Sequence, residues 1–303
     1  MDLTGKVAIV TGSGRGLGHA YAKALAEAGA AVVVNDVDQG AADRAVQDIV
    51  AAGGRAASVV APVGSSETAD ALVAKAVEEF GRLDVMVTNA GILRDTVLWK
   101  MSDDDFDAVT NVHLRGTFTC ARAAAVQMRS QGTGGRLILI SSPAGQRGNF
   151  GQGNYSAAKA GIVAMARTWA MELARAEVTV NVVVPVAATE MTKTIPAFAP
   201  VIEESERTGA PLPDWVRKDE GMGTPEDVAS LIVFLASDAS ADVTGQAIGI
   251  GGDKLALWSH PQEKATDYTD GGWSADAIAR SWTTGVGAEP ESYGIPMPAG
   301  TGA

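Results

Sequence analysis

Between residues 7 and 252, short apolar runs alternate with amphipathic stretches. Val7–Val10, Val32–Val34 and segments near 56–60, 84–88, 136–141, 178–184 and 247–250 are apolar at consecutive positions. That is the pattern of strands buried on both faces. Helical periodicity fills the gaps, from Leu17 to Ala28, then near 41–52, 67–80, 103–129 and 154–176, with a last helix from Ala229 to Ala236. A β-α-β-α rhythm of this kind predicts an α/β fold, a doubly wound parallel sheet of about seven strands with helices on both faces.

Two regions break the rhythm. Residues 190–222 are too long for an ordinary connection and carry Ile195, Phe198, Val201 and Ile202 among prolines and acidic residues, which reads as a lid. Residues 253–303 turn rich in Gly and Pro and hold Trp258, Trp273 and Trp282, three of the six tryptophans. So many large rings are expected to pack, either on the domain of residues 1–252 or on a neighbouring subunit.

Composition narrows the partners. Lys+Arg number 24 and Asp+Glu 36, a net charge of −12. Such a surface repels polyanions, so no nucleic acid is expected, and an acidic carrier protein is disfavoured too. Cys120 is the only cysteine, so no internal disulfide forms and a reducing, cytoplasmic setting is expected. No apolar run approaches the ~20 residues of a membrane helix, the start does not read as a secretory leader, and Gly-Thr-Gly-Ala at the end is not a peroxisomal address.

Candidate chemistry begins between the first strand and first helix, at Thr11-Gly12-Ser13-Gly14-Arg15-Gly16-Leu17-Gly18. Glycines there permit a tight turn and let backbone N–H groups approach a pyrophosphate. Asp36 ends the second strand, where a carboxylate can accept both ribose hydroxyls of an adenosine and repels a 2′-phosphate. NAD is therefore favoured over NADP. Arg15 pulls the other way, because a basic residue in this turn can approach that phosphate. The bland alternative for Asp36 is a cap on the next helix.

Tyr155 and Lys159 stand four apart on one helical face, where an ammonium can lower a phenol's pKa toward working pH. A phenol so tuned can exchange a proton with a secondary alcohol or ketone. Ser142 ends the preceding strand segment, at the edge where a parallel sheet binds ligands. The competing reading makes Ser142 a turn residue and Tyr155 a packed ring. His19, His113 and His260 are far apart and Cys120 has no ligand spacing, so no metal site is expected, and Asp103-Asp104-Asp105 after Ser102 reads as a helix cap.

In this order, Thr11-Gly12, Gly16, Gly18, Asn89-Ala90-Gly91, Ser142 and Tyr155-x-x-x-Lys159 resemble the short-chain dehydrogenase/reductase family across about residues 1–252. Val34-Asn35-Asp36, Gly91 to Asp95, Val112 to Phe118 and Gly148 to Tyr155 are most similar to the (3R)-hydroxyacyl-CoA dehydrogenase unit of peroxisomal multifunctional enzyme type 2. The resemblance implies a Rossmann-type fold and NAD-dependent interconversion of a secondary alcohol and a ketone, on an apolar small molecule, a CoA thioester foremost. A hydroxysteroid or other bulky cyclic alcohol is the rival substrate, and a non-catalytic NAD-binding sensor or scaffold the rival function. It also implies roles. Tyr155 is the acid/base, Lys159 binds the nicotinamide ribose, Ser142 orients the carbonyl, Asn89 sits by the adenosine ribose, and Thr189 meets the carboxamide. The family's usual asparagine is His113 here, which either joins a water relay behind Lys159 or packs. Pro62, Thr88 and Val186 are further departures. Finally, the helix begun by Tyr155 is small and apolar all round, which agrees with the homodimers and homotetramers the resemblance implies; packing under the C-terminal tail is the competing explanation.

Overall fold

The computed structural model describes residues 1–189, 192–194 and 197–295. Eight strands form one sheet: β1 (Val7–Val10), β2 (Ala31–Asp36), β3 (Arg55–Val60), β4 (Val85–Thr88), β5 (Gly135–Ile140), β6 (Val178–Pro185), β7 (Ala247–Gly251) and β8 (Lys254–Trp258). Their spatial order is β3-β2-β1-β4-β5-β6-β7-β8, and all neighbours are parallel except the last pair. The order reverses beside β1, so the carboxyl ends of β1 and β4 flank a crevice, the usual ligand position in such sheets.

Adjacent strand residues face opposite layers. Ala8, Val10, Val32 and Val34 join a core with α1 (Gly16–Glu27), α2 (Gln39–Ala51) and α9 (Pro225–Ala236). Val7, Ile9, Ala31 and Val33 join the opposite core, with α3 (Ser66–Phe80), α5 (Gly116–Gln131) and α7 (Gly153–Leu173). Burial on both faces is what the continuous apolar runs require.

The helix ends follow from local chemistry. Ser65 caps α3 by accepting from the Thr68 N–H, and Gly81 ends it at φ 85°. Thr224 and Asp227 form a reciprocal capping box on α9, with Pro225 in its first turn. Ser102 caps α4 (Asp103–Thr110), and the three aspartates of its first turn face the positive end of the helix dipole.

The structure departs from the sequence expectation in three places. The single helix expected at 103–129 is two, because residues Asn111–Arg115 widen into a π turn between α4 and α5. The lid region contains a helix, α8 (Ala199–Thr208), begun with Pro200 in its first turn. The sheet has an eighth strand, since Gly252 at φ 53° turns the chain back so that β8 pairs antiparallel with β7. Beyond it lies α10 (Ala275–Thr284). Among the described residues no helix is long and apolar enough to cross a membrane.

Candidate active site

The glycine turn lies where β1, β2 and β4 end. Gly12 and Gly16 take φ values of 62° and 56°, the left-handed region that costs other residues strain. A Cβ on Gly12 would lie 2.7 Å from Ala90 Cα, and one on Gly18 would strike the Gly12 carbonyl oxygen, so α1 is seated directly on the turn. No side chain caps α1, and a Cβ on the exposed Gly16 would meet no atom within 4 Å. An uncapped helix N-terminus facing open space suits an anionic phosphate, and these residues fit a dinucleotide.

Asp36 is nearly buried against this turn. Its Oδ2 accepts from the Gly14 N–H at 3.0 Å, and its Oδ1 accepts from the N–H groups of Val37 and Asp38 at 2.8 and 3.1 Å. A Cβ on Gly14 would come within 2.7 Å of Oδ2, so glycine is what lets the carboxylate close in. The helix-cap alternative falls to a different residue, because Asp38 caps α2. Arg15 and Leu17 flank the turn, with Arg15 exposed.

Asn89 braces the same turn. Its Nδ2 donates to the carbonyls of Thr11 and Gly12, both at 3.0 Å, and its N–H donates to Thr11 Oγ1. Two residues not singled out in the sequence complete the brace. Ser13 Oγ donates to Val10 O and accepts from the Asn35 N–H, and Asn35 Nδ2 donates to the carbonyls of Val59 and Ala61. Polar residues embedded in or beside buried strand ends were the available signal.

At the chemical end, Ser142 follows β5 and caps α6 (Pro143–Arg147), accepting from the Ala144 N–H at 3.2 Å. It also faces Tyr155. Burial pushes the Tyr155 phenol up, and the Ser142 hydroxyl draws it back. The lowering expected from Lys159 is therefore not what dominates, because removing the phenol from water is the larger effect. Lys159 Nζ lies 5.5 Å from the Tyr155 ring centre and donates to Ile140 O at 2.7 Å. Burial pushes its ammonium down to about 7. Ser141 Oγ donates to Lys159 O at 2.8 Å, fixing α7 to the strand end.

His113 sits in the π turn, 2% exposed, with its ring edge-on to Tyr155 at 5.0 Å. Its Nε2 lies 2.8 Å from Ile92 O and 3.1 Å from Ile92 N, while the buried Nδ1 has no partner. Burial, with the charge of Lys159 adding to it, pushes the imidazole down to about 3. A Cβ on Gly91 would strike His113 Cε1, so the glycine makes room for the ring.

Asn154, also unnoticed in the sequence, is fully buried and donates from Nδ2 to Arg94 O and Asp105 O, while its Oδ1 accepts from the Tyr155 N–H at 2.8 Å. Thr189 follows β6, and its N–H donates to Thr192 Oγ1 at 2.6 Å. Thr192 Oγ1 in turn donates to the carbonyls of Ala187 and Thr189 at 3.1 and 2.8 Å, so Thr189 stands in a tight turn just past the end of β6.

Phe198 and Ile202 of the segment expected to be a lid are buried with Leu212, Val216 and Met222, and Phe198 stacks on Trp215 at 6.2 Å. They fill a small core of that segment itself, with Val201 packed against it; Ile195 lies outside the described residues. The segment after β8 touches the site's rim, where Arg147 donates to Gly294 O at 2.8 Å and Ser292 Oγ at 2.9 Å.

Residues 12–252 match the family model described as enoyl-(acyl carrier protein) reductase. A 3-oxoacyl-[acyl-carrier-protein] reductase of Synechocystis is 44% identical over 253 residues, 82% of this chain and 97% of its own. The hydroxyacyl-CoA dehydrogenase ChsB1 of Mycobacterium tuberculosis is 43% identical over 282 residues, 89% of this chain and 84% of its own. Peroxisomal multifunctional enzyme type 2 of Drosophila melanogaster is 48% identical over 63% of this chain, a third of its own length. In structure, a short chain dehydrogenase from Mycobacterium avium superposes with a TM-score of 0.82 and 35% identity, covering 97% of this chain and 99% of that one. With the glycine turn, the Ser142-Tyr155-Lys159 grouping and these relatives together, the chain belongs to the short-chain dehydrogenase/reductase family, whose members are oxidoreductases that use a nicotinamide cofactor.

Proposed function

We propose that this oxidoreductase interconverts a secondary alcohol and a ketone with NAD(H), on a (3R)-hydroxyacyl-CoA-like substrate. The observation that carries the reading is the meeting of Ser142, Tyr155 and Lys159 at one end of β5, on the same carboxyl edge of the sheet as the glycine turn and Asp36. When bound, the nicotinamide accepts or supplies the hydride. Tyr155 takes the hydroxyl proton in oxidation and returns it to the carbonyl oxygen in reduction. Ser142 Oγ holds that oxygen, and Lys159 and Tyr155 hold the nicotinamide ribose. Thr189 is the proposed contact for the carboxamide.

Gly12, Gly16, Leu17 and Gly18 shape the turn for the pyrophosphate, with Arg15 at its rim, while Asn89 and Gly91 brace and clear it. Asp36 accepts the adenosine ribose hydroxyls and repels a 2′-phosphate, which supports NAD over NADP. The relatives' names support an acyl thioester, carried by CoA in one and by acyl carrier protein in another. A relay role for His113 is supported by an imidazole that is uncharged at neutral pH and a buried Nδ1 with no protein partner, where a water can bond. We further infer a homodimer or homotetramer, with Phe118 and the exposed Met171 on the faces of α5 and α7 that a twofold copy covers. Residues 259–295 are proposed to cover the substrate entrance of one subunit or its neighbour.

A panel of (3R)-hydroxyacyl-CoA thioesters, hydroxysteroids and simple secondary alcohols, followed by NADH absorbance, tests the substrate. Tyr155→Phe retains NADH binding and loses turnover on any active alcohol; undiminished turnover removes Tyr155 from the chemistry. Removing residues 259–303 is the cleaner test of the extension, since a cut at Gly252 would also strip β8 from the sheet. Unaltered substrate affinity and assembly would refute the covering role.

A further inference from the structure

Asp95 has no part in the scheme above, yet the structure tethers it to the residues that lead into Tyr155. Three hydrogen bonds staple residues 94–96 to the start of α7. Asn154 Nδ2 donates to Arg94 O at 3.1 Å, Gln152 Nε2 donates to Asp95 Oδ2 at 2.7 Å, and the Thr96 N–H donates to Gly151 O at 2.8 Å. Gln152 is itself held, since Asn149 Nδ2 donates to its Oε1 at 3.0 Å. Gly151, at φ 75°, lets the two backbones run side by side as Thr96 and Gln152 pair. The staple ends on the residue before Tyr155, whose own N–H is held by Asn154 Oδ1. A carboxylate on a free loop would swing into water; this one is tethered.

The charged and titratable groups around the phenol are few. Lys159 approaches from α7 itself, His113 from the π turn, and Asp95 from the 92–97 segment, with the neutral Ser142 opposite. His113 is uncharged at neutral pH. Lys159 favours tyrosinate, whereas a carboxylate disfavours it. Asp95 acts on the phenol as a negative charge, raising its pKa alongside burial.

We propose that Asp95, tethered by Gln152, is a positioning residue that adds to burial in keeping Tyr155 in its protonated, proton-donating form and so raises the pH at which alcohol oxidation turns on. In reduction the Tyr155 O–H bond breaks and its proton passes to the carbonyl oxygen as hydride from the reduced nicotinamide reaches the carbonyl carbon. In oxidation the same phenolate must first be formed, and Asp95 opposes that. The inference rests on the proposed acid/base role of Tyr155.

The test is the pH–rate profile of kcat for alcohol oxidation in Asp95→Asn, whose amide oxygen still accepts from Gln152. The rising limb moves to lower pH by roughly half a unit, the size expected for one exposed charge acting through a partly wet site. Gln152→Ala releases the carboxylate and moves the limb the same way by less. In the parent, raising salt from about 0.05 to 1 M screens the exposed Asp95 and also lowers the limb, whereas Asp95→Asn shows no such salt shift. A limb that stays put in Asp95→Asn, or a parent limb indifferent to salt, overturns the inference while leaving an active enzyme. A parent with no activity on any alcohol, or Tyr155→Phe with full activity, removes the reading beneath it instead.

Discussion

Gly18→Ala isolates the packing that holds the cofactor turn. The new methyl would strike the Gly12 carbonyl oxygen and lie 2.6 Å from Asn89 Nδ2. Neither neighbour is a flexible chain end: one is backbone, and the other donates to the Thr11 and Gly12 carbonyls. Relieving the overlap means lifting α1 from the turn or surrendering hydrogen bonds worth about 1 kcal/mol each. Overpacking of this kind costs about 1–3 kcal/mol. Alanine returns about 1 kcal/mol through its higher helix propensity, so the loss wins. A net loss of about 1–2 kcal/mol lowers Tm by roughly 2–8 °C. Gly153→Ala is the control, because it lies in the first turn of α7 with no atom within 4 Å of the added carbon; there Tm holds or rises. Thermal unfolding by circular dichroism reads both, and quenching of NADH fluorescence reads the turn. A Gly18→Ala protein with the parent Tm and parent NADH affinity would refute the close seating of α1.

Further outcomes follow from the buried groups and the rim. Lys159, held down to about 7, binds its proton more weakly than the unfolded chain does. Its burial therefore costs most below pH 7, and the cost fades as pH rises toward about 10. Lys159→Met is accordingly more stable than the parent in urea at pH 6, with the margin shrinking toward pH 10; a pH-independent margin would contradict the assignment. His113, pushed down to about 3, shows no imidazole titration by NMR between pH 5 and 8, and a midpoint inside that window would mean that its site is wet. Arg147→Ala removes the donors to Gly294 and Ser292, so amide exchange at residues 292–294 quickens at least several-fold while the strands keep their protection.

Much of this architecture was legible because its physics is local and repetitive. Short apolar runs at regular spacing announce the strands, and Gly12, Gly18 and Asp36 are residue types whose positions permit few alternatives. What escaped depends on context. Nothing in Asn111-Val112-His113-Leu114-Arg115 breaks a helix, yet the chain widens there and seats His113 over Gly91. Gly252-Asp253 is a recognisable hairpin pair, but it reads as the start of a tail unless Lys254–Trp258 is weighed as a strand. The balance of charge and burial at Tyr155 is invisible in one dimension, since Asp95 lies 60 residues from it in sequence. Ser142 caps α6 and also lies against the phenol of Tyr155, two roles that its place at a strand end does not separate.

The division of the strands between two cores has a thermodynamic corollary. Val33 and Val34 are bonded neighbours, yet each belongs to a separate packing problem, one shared with α3 and the other with α1 and α2. A void made at one must be refilled from its own side of the sheet. Paired truncations at such adjacent residues should sum nearly independently, whereas Val32 with Val34, two positions apart, should couple. For this enzyme, closeness along the chain is a poor guide to which substitutions can rescue one another.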